Sequence, residues 1–254
     1  MRKVLNNKPL IEAIFELRWE LEKQDNGTKI DPHYKILIGS MFDKIRDKYG
    51  VYELLPTANM PDEIAGYVIQ HRFRTSANGW PLIQIGPGVI TLNDTTGYNW
   101  DDFEKRVDKM IKALFDAHPS SDNLKPNTLL LRYINAIDFD YGSENIFSFL
   151  KENMKIGMDI DSQLFEDNKV KNLPLDFDLR FSFPSLTPEG IFQLRFARGK
   201  KAGTDALIWE IIVQSSGNII PKNVDEIIVW VKGAHDLIYD WFFKIKDELL
   251  RRFE

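Results

Sequence analysis

Strict alternation of apolar and polar residues near the start of the chain is the feature that most limits the fold. In a β-strand, side chains alternate between two faces, so alternation over residues 9–20 predicts a strand with one buried and one solvated face. Strands of this kind are typical of antiparallel sheets, whose second face can stay in water. The apolar side of this predicted strand consists of Ile11, Ala13, Phe15, Leu17 and Trp19.

After the opening strand, the first half of the chain shows a helix, several short strands and a second helix. Asp31-Pro32 is a typical helix start, because proline is tolerated at the first helical position. Ala77-Asn78-Gly79 indicates a hairpin turn, since asparagine and glycine accept positive φ angles. The predicted strands lie at 51–55, 65–75, 80–86 and 88–93, and the second helix begins at about Asn99 or Asp101.

The same order of elements begins again after a linker at 119–127 that contains Ser, Asp, Asn and Pro. A strand at 128–139 precedes a short helix for which Ser143 is the predicted cap. The last segment, about 222–253, has the apolar spacing of one amphipathic helix. Three long strands are predicted between these two helices, at 173–183, 190–199 and 205–214.

These patterns predict an α+β protein of two successive units, residues 1–122 and 123–254. Each unit has the order β-α-β(3-4)-α, with an antiparallel sheet covered by helices on one face. The two sheets can also join edge to edge into one continuous sheet, which would hide exposed strand edges. The order of elements is similar to that of the TATA-binding-protein-like fold, an analogy of fold that carries no function.

Composition narrows the function classes. The chain has no cysteine, which excludes disulfides, thiolate metal sites and cysteine nucleophiles and fits a cytoplasmic protein. A net charge of −5 argues against broad electrostatic capture of nucleic acid, although it is compatible with a local basic patch. No apolar stretch approaches the roughly 20 residues that cross a bilayer, so we expect a soluble protein with no membrane partner.

No motif for catalysis or cofactor binding is evident. The turn at residues 85–89 is rich in glycine but lacks the Gly-Lys-Ser/Thr ending of a phosphate loop. The four histidines do not have the spacing of metal ligands. We therefore expect no cofactor and no metal, and the sequence favours a protein that is not an enzyme.

A row of arginines on the predicted strands is the most informative polar feature: Arg18, Arg72, Arg74, Arg132, Arg180 and Arg195. One interpretation is a solvated sheet face stabilised by cross-strand ion pairs. The other is a binding surface, because guanidinium groups offer forked donors to a carboxylate or phosphate. The candidate binding residues are Glu12, Glu16, Arg18, Arg72, Arg132 and His235.

Several longer motifs carry a resemblance to a known family. They are the opening run at residues 8–19 (KPLIEAIFELRW), the run at 82–93 (LIQIGPGVITLN), Tyr98-x-Trp100-x-x-Phe103, and Leu131-Arg132-Tyr133-Ile134-Asn135. Together with His235, they resemble a sporadically distributed, uncharacterised family of bacterial and archaeal proteins. The resemblance covers most of the chain and implies a cytoplasmic prokaryotic protein. The family's patchy distribution is compatible with an accessory or defence-associated role.

Three functional hypotheses follow. The leading hypothesis is a binding or interaction protein that uses the polar, arginine-bearing sheet surface to bind another protein or a small anionic ligand; a homodimer is also compatible with it. The first alternative is a hydrolase or nucleotide-handling enzyme with a dispersed site. Its residues would be Glu12, Glu16, Arg18, Arg132 and His235. The second alternative is single-stranded nucleic-acid binding through arginines and exposed aromatic rings, which the acidic net charge disfavours.

Overall fold

The structure, a computed structural model, describes residues 5–95, 97–120, 124–166, 169–245 and 247–254. Elements of the first half are β1 (Leu10–Trp19), β2 (Glu22–Lys23), β3 (Lys29–Ile30), α1 (Tyr34–Ile45), β4 (Val51–Leu54), β5 (His71–Arg74), β6 (Leu82–Gly86), β7 (Val89–Asp94) and α2 (Trp100–Ala117). Elements of the second half are β8 (Pro126–Asp138), α3 (Ile146–Met154), β9 (Asp178–Leu186), β10 (Glu189–Lys201), β11 (Thr204–Ser216), α4 (Val224–Phe242) and α5 (Asp247–Arg251). This combination of helices with a large antiparallel sheet confirms the α+β class.

Strands of both halves form one nine-stranded sheet in the order β4-β5-β6-β7-β1-β8-β11-β10-β9, and β2 and β3 form a separate pair. The two halves meet where β1 pairs antiparallel with β8, with Phe15 opposite Leu131. From this central pair, strands of the first half extend to one side and strands of the second half to the other. The predicted boundary between residues 122 and 123 falls outside the described residues, and the two-unit division and the TATA-binding-protein-like order stay predictions.

The helices pack on one face of the sheet, and one hydrophobic core lies between the helices and the sheet. Phe15 of β1 and Leu131 of β8 are fully buried in this core. Leu37 of α1, Phe103 of α2 and Val231 of α4 belong to the same cluster. Burying a side chain of this size contributes roughly 1.5–3 kcal/mol, so the alternation in β1 fixes which sheet face the helices cover.

The strand expected at 65–75 is shorter than predicted, because only His71–Arg74 joins the sheet. Tyr67 has a φ angle of 63°, which is incompatible with an extended strand. Its N–H donates instead to the Pro87 carbonyl at 2.8 Å, so the preceding segment crosses the β6–β7 turn. Asn78 has a φ angle of 59°, in agreement with the turn predicted at this position.

Two helix boundaries also differ from the sequence prediction. Asn145, not Ser143, caps α3, since its side chain accepts from the N–H groups of Phe147 and Ser148. The Ser143 hydroxyl donates to Asp140 at 2.6 Å and so serves the preceding turn. The last predicted helix is divided into α4 and α5, because the N–H of Lys244 bonds three residues back and tightens the final turn of α4.

Candidate functional site

The predicted arginines lie on the sheet face opposite the helices, here called the open face. Glu210 of β11, which is only 3% exposed, is the centre of one polar network on this face. It pairs with Arg132 (Nη2–Oε2 2.6 Å) and with Arg195 (Nη1–Oε1 2.6 Å). Arg195 also pairs with Asp178, which Arg180 contacts at 2.9 Å. Hydrogen bonds from Arg195 and Arg180 hold the pKa of Asp178 well below its usual range.

A second polar network crosses the open face of the first half. Arg72 lies 3.6 Å from Glu53 and donates from Nε to Gln84 Oε1 at 2.7 Å. Gln84 Nε2 donates to Asn93 Oδ1 at 3.1 Å, and Asn93 Nδ2 donates to Glu12 Oε1 at 2.8 Å. These bonds connect β4, β5, β6, β7 and β1. Arg72, Arg132 and Arg195 therefore have carboxylate partners on neighbouring strands, as the cross-strand interpretation predicts. Arg180 instead pairs with Asp178 of its own strand.

Two further arginines of the open face lie beside aromatic rings. Arg18 pairs with Glu16 at 2.7 Å, and its guanidinium lies 5.4 Å from the centre of the Tyr67 ring. The Arg74 guanidinium lies 5.8 Å from the ring of Trp80, which is 42% exposed. Exposed rings beside arginines are what the nucleic-acid hypothesis requires. That hypothesis stays a prediction.

His235 lies on the helix side of the sheet, away from the other five candidate residues. Its Nδ1 is hydrogen-bonded to the Tyr133 hydroxyl at 2.8 Å. Tyr133 is the neighbour of Arg132 in β8, and adjacent side chains of a strand point to opposite faces. The structure therefore gathers Glu12, Glu16, Arg18, Arg72 and Arg132 on the open face but separates His235 from them by the thickness of the sheet.

A cavity of about 230 Å³ lies beside His235, where the start of α2, the helix α4 and the central strands meet. Both halves of the chain line it, because residues 5–10 and 98–101 belong to the first half and the rest to the second. Aromatic rings form much of its wall: Tyr98, Trp100, Tyr133, Tyr239, Phe242 and Phe243. We call this cavity the seam pocket.

Trp100 and His235 form one wall of the seam pocket as a stacked pair. Their ring centres are 3.6 Å apart and the ring planes differ by 5°. Asn99 caps α2 by accepting from the N–H of Asp102, which fixes the first turn of the helix and places Trp100 in it. This cap therefore holds Trp100 in the first turn of α2, where its ring contacts His235 of α4.

A chain of hydrogen bonds orients the polar atoms behind this pair. The hydroxyls of Tyr98 and Tyr133 are 2.5 Å apart, and Tyr133 continues the chain to His235. Lys8 Nζ donates to the Tyr98 carbonyl at 2.6 Å, so an ammonium group lies at the same pocket. Such a chain fixes ring orientations and can also relay a proton between hydroxyl and imidazole.

Asn135 supplies the seam pocket with a polar group of a different kind. The residue is 3% exposed and lines the cavity, and its Nδ2 has no hydrogen-bond partner within the described ranges. A buried donor left without a partner costs about 1–3 kcal/mol. The sequence carried a signal for this residue, because Asn135 follows Leu129, Leu131 and Tyr133 at a helix-facing position of β8, where an apolar side chain is expected.

The described residues contain neither a metal-binding cluster nor a membrane-spanning helix. Within them, no group of three or more histidine, aspartate or glutamate side chains is arranged to hold a metal ion. None of the helices in this part of the chain is both long and apolar enough to cross a bilayer. Comparison with family models, curated proteins and solved structures gives no match. The family resemblance stays a prediction.

Proposed function

We propose that this protein binds a small, flat organic ligand in the seam pocket, through contacts with a ring and with an oxygen acceptor. The observation that carries the proposal is the buried Nδ2 of Asn135, a donor with no partner among the described residues. A ligand oxygen would satisfy this donor and recover the free energy that its burial costs. Apolar pockets with a few convergent polar groups are the usual form of small-molecule sites.

The lining of the pocket limits the chemistry of the ligand. Aromatic rings that include Trp100, stacked on His235 by one face, line the pocket, and aromatic rings favour contact with another ring. Asn135 Nδ2 and the Lys8 ammonium are donors that favour an oxygen acceptor, such as that of a carboxylate, and Asp101 is the one carboxylate among the described residues that line the pocket. The volume of about 230 Å³ is below the roughly 300–1,000 Å³ of pockets for drug-sized ligands, so the ligand is smaller than a nucleotide.

Benzoate is the simplest probe with both features, a flat ring and a carboxylate. We expect isothermal titration calorimetry to detect its binding to the natural sequence. Asn135→Leu should weaken that binding at least about tenfold, because a hydrogen bond to a charged group contributes about 1.5–3 kcal/mol. Trp100→Leu should also weaken binding, since an aromatic ring of the pocket lining is lost.

The matched control is Gln193→Leu, which makes a similar change in β10 on the open face, opposite Ile212. This variant should bind benzoate as the natural sequence does. Absence of benzoate binding would contradict the proposal. So would equal affinities for the natural sequence and Asn135→Leu, because binding would then not depend on the buried donor.

Binding of a protein or an anionic ligand by the open face is a second proposal. Its support is that the side chains of Arg132 and Arg195 keep 34% and 32% of their surface exposed although both are paired with Glu210. The enzyme hypothesis has less support, because His235 lies across the sheet from Glu12, Glu16, Arg18 and Arg132. Neither hypothesis predicts that Asn135→Leu changes ligand binding, so the benzoate titration separates them from the seam pocket.

A further inference from the structure

A second cavity, of about 480 Å³, lies between α1 and α2. Its floor is formed by apolar and aromatic side chains that include Tyr49, Ile83 and Met110. Its rim is cationic, with side chains from α2 and from the end of α1 and the residues that follow it. The cationic residues are Lys44, Lys48, Lys105, Arg106, Lys109 and Lys112. We call this cavity the basic cleft.

The charge of the basic cleft is opposite to that of the whole chain. Six cationic residues line it against three carboxylates, Asp47, Asp102 and Asp116, which is an excess of three positive charges. The chain as a whole carries a net charge of −5. Positive charge is therefore concentrated in this concave part of the surface, where it raises the local concentration of anions.

Some of these cations are already used by the fold. Arg106 pairs with Asp102 at 2.5 Å and lies 3.4 Å from the Tyr49 hydroxyl. Lys44 lies 3.8 Å from Asp116, and Lys112 pairs with Asp108 of the same helix at 2.8 Å. These contacts fix the sides of the cleft.

Three lysines have no ion pair in the described part of the chain, and all three are exposed: Lys48, Lys105 and Lys109. Lys105 and Lys109 are four residues apart in α2, where like charges destabilise a helix. An anion between them would remove this repulsion.

We propose that the basic cleft binds a small anion bearing several phosphates. Lysine ammonium groups act as point charges for phosphate, and a linear chain of phosphates can contact lysines on both sides of the cleft. Single phosphates would contact fewer lysines and bind more weakly. The cleft is formed by α1 and α2 of the first half and lies apart from the seam pocket, so the two proposals stand or fall separately.

Inorganic tripolyphosphate is the probe that tests this proposal, with affinity measured by isothermal titration calorimetry at low and at moderate salt. We expect binding that weakens as salt rises, since the interacting charges are exposed. The double variant Lys105→Gln/Lys109→Gln should weaken binding at least about tenfold. The control Lys200→Gln/Lys201→Gln changes the net charge equally at the β10–β11 hairpin and should bind as the natural sequence does.

Equal loss of affinity in the two double variants would overturn the proposal, because binding would then depend on net charge alone. Absence of tripolyphosphate binding at low salt would do the same. If the first double variant does not fold, Lys48→Gln provides the same comparison from the other side of the cleft. ATP binding more tightly than tripolyphosphate would identify a nucleotide as the source of the phosphates, whereas tighter binding of short single-stranded DNA would overturn the assignment to a small anion.

Discussion

On the open face, Glu210 accepts two arginines, whereas on the helix face Asn135 keeps its Nδ2 without a partner among the described residues. Both residues are buried to a similar degree and lie within two adjacent strands, β11 and β8. The fold satisfies the charged group and leaves the neutral amide unsatisfied. A buried charge without a partner costs far more than a buried amide, so leaving Glu210 unpartnered would cost much more than leaving the amide of Asn135 unpartnered.

This difference shows how polar residues on the two faces should be interpreted. A row of arginines attracts attention in the sequence, yet each has a carboxylate partner on its own or a neighbouring strand, and the row mainly stabilises the sheet. A single asparagine at an apolar position is less conspicuous. It is the better indication of a binding site, because nothing described in the fold accounts for its free donor.

The largest effect that would test the comparison is expected from Glu210→Ala. Removing this carboxylate leaves Arg132 and Arg195 without their shared acid. We expect the free energy of unfolding to fall by about 3 kcal/mol, the lower end for breaking a buried ion pair, because both arginines are partly exposed. Urea denaturation measures the loss.

Glu210→Gln is the graded control for this substitution. It keeps an acceptor for one arginine and should cost less than Glu210→Ala. Equal stability of Glu210→Ala and the natural sequence would mean that the open-face network does not stabilise the sheet.

Asn135→Leu should have a smaller effect of opposite sign. The variant removes the unpartnered donor and buries an apolar group of similar size, so the ligand-free protein should gain roughly 1–2 kcal/mol. Thermal and urea unfolding without benzoate measure the gain. The control is Tyr133→Phe, which faces the same pocket but loses the bonds to Tyr98 and His235, and it should lose stability. A loss in Asn135→Leu would show that the amide is satisfied in the free protein.

The smallest expected effect is on the pH dependence of stability. Burial lowers the pKa of His71 and His118, so the unfolded chain binds more protons than the fold as the pH drops below about 6.5. The contribution of these two histidines to the free energy of unfolding is therefore complete above about pH 6.5 and declines as the pH falls toward their lowered pKa values. Asp178, whose pKa is held low by Arg195 and Arg180, loses its contribution only as the pH falls below about 4.

Two substitutions separate these contributions. His71→Gln should flatten the decline between about pH 7 and 5 and leave the acid limb unchanged. Asp178→Asn should flatten the loss of stability below about pH 4 and leave the decline between about pH 7 and 5 unchanged. Thermal unfolding midpoints measured across this pH range provide the test, and a change of the same limb by both variants would contradict it.

The sequence allowed part of this molecule to be predicted. Alternation in β1 identified its buried face, and the spacing of Arg72, Arg132 and Arg195 placed them on the polar side of strands. Local patterns sufficed there, because neighbouring residues in a strand decide its two faces. The irregular backbone at Tyr67 depends on its contact with Pro87, which local patterns do not contain.

The two cavities were less accessible to prediction for the same reason. Lys105, Lys109 and Lys112 have a readable helical spacing, but their proximity to α1 depends on how two helices pack. Trp100 and His235 are far apart in the chain, and only the joining of β1 to β8 brings their helices together. Asn135 alone could have been singled out beforehand, from its position in an otherwise apolar strand face.

The pairing of β1 with β8 has a consequence for a chain divided between the two halves. Each of these strands is an interior strand only because the other lies beside it, so a separated half would present a long unpaired edge. Reassembly of two fragments would recreate the seam pocket, which neither fragment contains alone. A ligand of that pocket would bind only the assembled fragments, so raising its concentration would lower the apparent dissociation constant of the two fragments.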